Sequence, residues 1–256
     1  MSMQRPAFDY DEEQWPVKGA WPGSLVRDPI TNLIAFPSFH ENFREVFCHL
    51  LHQYGAVGVA IGDVDNMKTY VEQRKQDDPM LFGHLAGNAL MSNLGVAALG
   101  WFGEWKTPWG CVSTFGGDEI ILVGAGTSRA NFAQHVQSLS VRLSGALPCN
   151  VSFASGWFMD GQNSAGVDQI ASSDQCSMAL VLVDRALFDV KRRAKRLGSS
   201  SPQLRLLEPR YMRGSSWGTQ PAVRRRAPAW KEQVEPVEVH GLPPACPVAV
   251  LDVQGG

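Results

Sequence analysis

The stretch "STFGGDEIILVG", residues 113–124, sets two glycines and two carboxylates between two runs of strand character. "CVSTF" leads in and "IILVGA" leads out, so the glycines mark a hairpin. Tight turns need backbone angles at positive φ, which Gly, Asn and Asp supply with least strain. Gly116 and Gly117 meet that need, and Asp118 is tolerated beside them. A turn does not require a second acid, Glu119, directly before "IILV". The pair becomes a candidate for chemistry if another carboxylate of the chain reaches the same place.

The rest of the chain gives this hairpin a setting. "FPSFHENFREVFCHLLHQYG" places Phe39, Phe43, Val46, Phe47, Leu50 and Leu51 at helical spacing, and Gly55 is a suitable stop. "AVGVAIGDVD" alternates Val57, Val59 and Ile61 with small residues, as a strand does. A helical stretch, "FGHLAGNALMSNLGVAALG", precedes the hairpin. After it come the amphipathic helix "SRANFAQHVQSLSVRLSGAL", the strand "NVSFASGWF" and the long helix "CSMALVLVDRALFDVKRRAKRLG" with a basic end. Strand, helix, hairpin, helix, strand is the split βαβ arrangement: an α+β, two-layer, ferredoxin-like core with a central antiparallel sheet flanked by helices. Residues 25–198 form this domain. Residues 1–24 read as an extension, with Trp15 and Trp21 packed on the domain. Residues 199–256, rich in Pro, Ser, Gly and Arg, read as a flexible tail with at most short ordered pieces.

Composition excludes several classes. The 256 residues are 44% hydrophobic and 19% charged, which is globular, and a net charge of −2 gives no general case for binding nucleic acid. The five cysteines form no C-x-x-C pair, so neither a zinc site nor a disulfide framework is expected, and an odd count fits a reducing cytoplasm. The N-terminus is polar and acidic, unlike a secretory signal, and no apolar run is long enough for a bilayer. A cytoplasmic protein is the expectation.

The second carboxylate is available at the end of the first strand, "DVDNMK", residues 63–68. In a split βαβ sheet this strand lies beside the hairpin, which brings Asp63 toward Asp118. Converging carboxylates repel unless a cation lies between them, and oxygen ligands of this kind suit Mg²⁺ or Mn²⁺ with substrate phosphates. Such an ion activates a hydroxyl and neutralises charge in phosphoryl transfer. The glycines would let a triphosphate come close to the backbone. Lys191 and Lys195, one turn apart, could face the same phosphates. Plainer uses stand beside these: "DVD" as a helix N-cap, the lysines as partners of a helix dipole, and His84 as a packing or capping residue.

Taken together, these residues resemble the GGDEF family, the diguanylate cyclases. The hallmark stands as Gly116-Gly117-Asp118-Glu119-Ile120, with Ile in place of Phe. "RDPITNL" resembles D-x-L-T-G-L, "GDVDNMK" resembles D-x-D-x-F-K, and "FGHLAGNAL" resembles F-G-H-x-x-G-D-x-x-L. "VSFASG" resembles V-T-x-S-x-G, and "VDRALFDVK" resembles A-D-x-A-L-Y-x-A-K, all in the family's order over residues 26–198. The resemblance implies metal ligands at Asp63, the Val64 carbonyl and Asp118, with Glu119 helping to activate a ribose 3′-hydroxyl. It implies nucleotide contacts at Gly116, Gly117, Lys68, His84, Asn88, Lys191 and Lys195. It further implies Mg²⁺ or Mn²⁺, a nucleoside triphosphate (GTP by default) and a homodimer in which two triphosphates become cyclic di-GMP. The two extensions are places for a protein partner.

The departures cluster around the nucleobase. The stretch from Asp63 to His84 is longer than the family's by all or part of "YVEQRKQDDPM", so Val71 or Glu72 stands at the usual Asn. Asn88 replaces the Asp that pairs with the guanine edge, and an amide offers one donor and one acceptor face where a carboxylate only accepts. Thr114 replaces an Arg, and "TPWG" replaces the R-x-x-D of product inhibition. Two alternatives follow: a catalytically idle domain that binds nucleotide and signals through a partner, or a cyclase with changed base specificity. "GDVDNMK" with its longer insert also resembles the palm of CRISPR polymerases, which make cyclic oligoadenylates, although the last helix fits GGDEF better. A purely structural module has no need of Asp63, Asp118 and Glu119.

Overall fold

The computed structural model describes residues 15–78, 80, 83–160, 173–199, 201–212 and 249–250. Its first regular pieces are β1 (Val17–Lys18) and α1 (Phe36–Tyr54). α1 opens with Pro37 in its first turn, where a missing N–H costs nothing, and ends at Gly55, whose φ of 71° lets its N–H return to the Leu51 carbonyl. Phe39, Phe43 and Phe47 stack down its buried face at 5.0 and 5.3 Å, and Phe47 meets Phe158 edge-on.

The sheet is built from β2 (Ala56–Val64), β3 (Trp109–Gly116), β4 (Glu119–Ala125) and β5 (Val151–Asp160), in the spatial order β3-β4-β2-β5, all antiparallel. That is the split βαβ order read from the sequence. Helices α3 (Gly83–Glu104) and α4 (Arg129–Ala146) cover one face, and α1 and α5 (Ser173–Leu197) cover the other. The alternation in β2 explains why both faces close. Val57, Val59 and Ile61 point to the α1/α5 side. On the α3/α4 side Gly58 and Gly62 leave room for rings: a Cβ there would lie 2.5 Å from Phe132 and 2.4 Å from Phe153.

Two loops are fixed by side chains. In "RDPITNL" the Asp28 carboxylate accepts from the backbone of Ile30 and Thr31 and from the Thr31 hydroxyl, a turn that Asp favours. Upstream, β1 pairs with the outer edge of β3. The Lys18 ammonium donates to the carbonyls of Gly103 and Trp105 at the end of α3, and Trp21 stacks on Trp109.

Two stretches of the chain form elements where the sequence gives no regular signal. Helix α2 (Met67–Asp77) takes up much of the longer stretch after Asp65 and buries none of its residues. It rests on α3 at Gly87, where a Cβ would lie 3.2 Å from the Met67 methyl. Beyond α5 the sheet continues: β6 (Gln203–Leu206) and β7 (Arg210–Met212) run parallel to β5, and β8 (Ala249–Val250) pairs with β6. Gln203 and Leu204 are buried. Residues 203–206 and 210–212, in the stretch read as the start of the tail, thus supply strands to the domain, while "VRRRAPAWK" lies outside the described residues.

Candidate active site

The site is assembled at the end of the sheet where β2 stops and the β3–β4 hairpin turns. Gly116 has φ 122° and Gly117 φ 60°, with a bulge between Thr114 and Gly116. A Cβ at either glycine would meet nothing, so positive φ, not crowding, selects glycine here. The backbone at the tip is open to an incoming group.

Asp63 pairs across the sheet with Glu119, so the two side chains leave the same face. The Val64 N–H donates to the Asp118 carbonyl at 3.2 Å and the Asp65 N–H to the Asn150 carbonyl at 2.8 Å, so the ladder carries past the strand end. Asp65 therefore stays beside Asp63. From α5, the Lys191 ammonium donates to Asp63 Oδ1 at 2.5 Å and to the Val64 carbonyl at 3.3 Å, and lies 3.3 Å from Asp65 Oδ1. The Ser152 hydroxyl donates to Asp65 Oδ2 at 2.6 Å and itself accepts from the Gln203 N–H at 2.9 Å. β6 thus supports the acid cluster from behind.

The hairpin divides two cavities. One, of about 630 Å³, is lined by Asp63, Asp65, Glu119, Asp184, Lys191 and Lys195, among others. The other, of about 600 Å³, is lined by Gly117, Asp118, Asn88, His84, Lys68 and the α2 residues Val71, Glu72 and Lys75, among others. Asp63 and Glu119 are thus on one side and Asp118 on the other, still near enough for its charge to act on both. Lys68 is almost fully exposed and 4.0 Å from Glu72, and His84 and Asn88 are exposed on α3.

Burial and crowding set the charges. Desolvation pushes the carboxyls of Asp63 and Asp65 above the usual carboxylate range, opposed by the ammonium of Lys191 and, at Asp65, first by the Ser152 hydroxyl. Glu119 is pushed up to about 7, first by desolvation and then by the charges of Asp63, Asp184 and Asp118. Among the described residues no group of three His, Cys, Asp or Glu side chains converges tightly enough to hold a metal ion. The donors present do fit a hard divalent cation: Asp63, Asp65 and the Val64 carbonyl are all oxygens, and they already hold a positive charge, that of Lys191.

Two contributors, Asp184 and Ser152, have no part in the sequence reading. A third, Asp65, is the i+2 acid of "DVD", which a strand ending there would not aim but which the continued ladder holds beside Asp63. Asp184 lies two turns before Lys191 on the same face of α5, a spacing that could have flagged it. Ser152, behind Asp65, gave no signal of its own.

Comparison with solved structures gives this architecture its relatives. The diguanylate cyclase SiaD of Pseudomonas aeruginosa, solved with its activator SiaC, is similar at 19% identity and a TM-score of 0.50 over 70% of this chain. The match spans 61% of the SiaD chain. The GGDEF domain of DgcB from Caulobacter crescentus, solved with c-di-GMP, matches at 15% identity and 0.50, covering 74% of this chain and 97% of that one. The GGDEF domain of FimX from Pseudomonas aeruginosa matches at 14% identity and 0.51, covering 70% and 98%. No protein-family model matches the sequence, and no curated protein matches it. The chain has the fold of a GGDEF domain, with a central, mostly antiparallel sheet flanked by helices. Among the described residues no helix is long and apolar enough to cross a membrane.

Proposed function

We propose that this protein is a nucleotidyltransferase of the diguanylate cyclase type, joining two nucleoside triphosphates, GTP by default, into a cyclic dinucleotide. The observation that carries the reading is the cation-holding cluster of Asp63, Asp65 and the Val64 carbonyl around Lys191, set across one strand pair from Glu119. A phosphoryl-transfer site needs oxygen donors for a cation, a positive charge for the phosphates and a carboxylate to take a proton. Asp63, Asp65 and the Val64 carbonyl, Lys191, and Glu119 suit these parts in turn.

Asp63, the Val64 carbonyl and Asp118 would hold Mg²⁺ or Mn²⁺. The bound ion would neutralise charge on the α-phosphate and lower the pKa of the attacking hydroxyl. Lys191, released from the carboxylates, is then free to face the phosphates, with Lys195 one turn further along α5. The open backbone of Gly116 and Gly117 lets a phosphate approach the hairpin amides. Glu119, set across the strand pair from Asp63, would accept the proton of the ribose 3′-hydroxyl as its oxygen bonds to the α-phosphorus and pyrophosphate leaves. The Asp118 cavity, with His84, Lys68 and Asn88 on its walls, would take the nucleoside. Each protomer holds one triphosphate, and two protomers facing one another form the two bonds.

A second reading has its own support: by the resemblance Asn88, with Val71 or Glu72, falls where guanine would be read, and all three line the Asp118 cavity, which suits another base or a receptor that binds without turnover. One experiment separates these. Purified protein with Mg²⁺ is given each ribonucleoside triphosphate singly and in pairs, with products identified by chromatography and mass spectrometry. Cyclic di-GMP from GTP alone supports the reading, and an adenine-containing product reassigns the base. Nucleotide binding without any product, at every protein concentration, moves the assignment to a receptor.

A further inference from the structure

Away from the candidate site, α1 and α5 place two thiols against each other. Cys48 on α1 and Cys176 on α5 have their sulfurs 3.5 Å apart, and neither is in a disulfide. Cys176 is buried in the core between the helices, while Cys48 is partly exposed. Arg44, one helical turn before Cys48, acts on both with its positive charge.

We propose that Cys48 and Cys176 form an oxidation site at which a peroxide closes a reversible disulfide between α1 and α5. The division of labour follows from exposure. Cys48, the accessible member, attacks a peroxide oxygen as its thiolate; the O–O bond breaks and one oxygen leaves as water after taking a proton. The resulting Cys48 sulfenic acid meets the Cys176 sulfur already alongside. Cys176 attacks the Cys48 sulfur, gives up its proton, and the sulfenic oxygen departs as a second water. Two thiols lose two electrons and two protons in all, and hydrogen peroxide takes both. A cellular dithiol would reverse the reaction by thiol–disulfide exchange.

The remaining described cysteines lack this arrangement. Burial pushes the Cys111 and Cys149 thiols upward, which disfavours the reactive thiolate. At Cys48 the contact with Cys176 and the charge of Arg44 both favour the thiolate, while the same contact and burial hold Cys176 as the thiol, the member that attacks second. The consequence of closure is mechanical: α5, which carries Asp184 and Lys191 into the candidate site, becomes covalently tied to α1 near its other end. The assignment does not depend on the nucleotide reading.

The test uses the full chain, reduced and then exposed to hydrogen peroxide. Thiols are counted after denaturation, and peptides are mapped by mass spectrometry without reduction. The expected result is a loss of two thiols from five, one peptide pair joining Cys48 to Cys176, and recovery of both thiols with a dithiol reductant. Cys176→Ala should leave Cys48 as a sulfenic acid that dimedone traps, and Cys48→Ser should abolish the linkage. If Cys176→Ala fails to fold, the wild-type peptide map decides alone. Two thiols that stay alkylatable, a stable Cys48 sulfenic acid in the wild type, or linkage of Cys48 to any other cysteine would overturn the proposal.

Discussion

At the scale of single residues, Lys191 and Glu119 define what can be measured. The Lys191 ammonium is the counter-charge of two carboxylates that burial already disfavours, so removing it leaves them uncompensated. Lys191→Met should lower the melting temperature by several degrees, and Mg²⁺ or Mn²⁺ should restore more of it than in the wild type; thermal unfolding with and without the ion checks both. Glu119 gives a pH signature. Its folded value of about 7 lies above the ordinary 4.5, so between these values the folded chain keeps a proton that the unfolded chain has released. Stability contributed in this way is present below the lower value and lost as pH rises through the upper one. In metal-free protein, Glu119→Gln should flatten the fall in melting temperature between about pH 4.5 and about pH 7. It should also abolish product while leaving triphosphate binding intact.

At the scale of elements, the parts legible in the sequence were those whose burial is periodic. α1 declares itself through its phenylalanines, β2 through alternation and the hairpin through its glycines. α2 was hidden because a helix with no buried residue leaves no apolar stripe, only polar spacing. β6 and β7 were hidden because a few residues among Pro, Ser and Arg carry too little pattern. In the site, Asp63 and Glu119 could be anticipated from strand neighbours, but the grip of Lys191 on Asp63 and Asp65 depends on how α5 crosses β2. No local spacing encodes that crossing. Two predictions belong here. Gly95 of α3 lies so close to the Thr31 backbone that a Cβ would sit 2.0 Å from its carbonyl oxygen. Gly95→Ala should cost about 1–3 kcal/mol, read by urea unfolding, because backbone cannot rotate away as a side chain can. On α2, by contrast, Glu72→Ala and Lys75→Ala should stay within about 0.5 kcal/mol of wild type. Because both residues border the Asp118 cavity, competition binding should show an altered ratio of GTP to ATP affinity.

Among the described residues the strands form one sheet, and both rims of its four-stranded centre are covered by early or late segments of the chain. β1 covers part of the β3 rim, and β6 and β7 cover that of β5. Unpaired strand rims are templates for other strands. A chain trimmed to residues 25–198, the limits periodicity alone would draw, loses both covers at once. Such a fragment should assemble with itself through bare hydrogen-bonding edges, and light scattering would register species larger than the intact protein forms. A dimer found in that preparation would then report two sheets joined rim to rim and would say nothing about how two nucleotides are brought together.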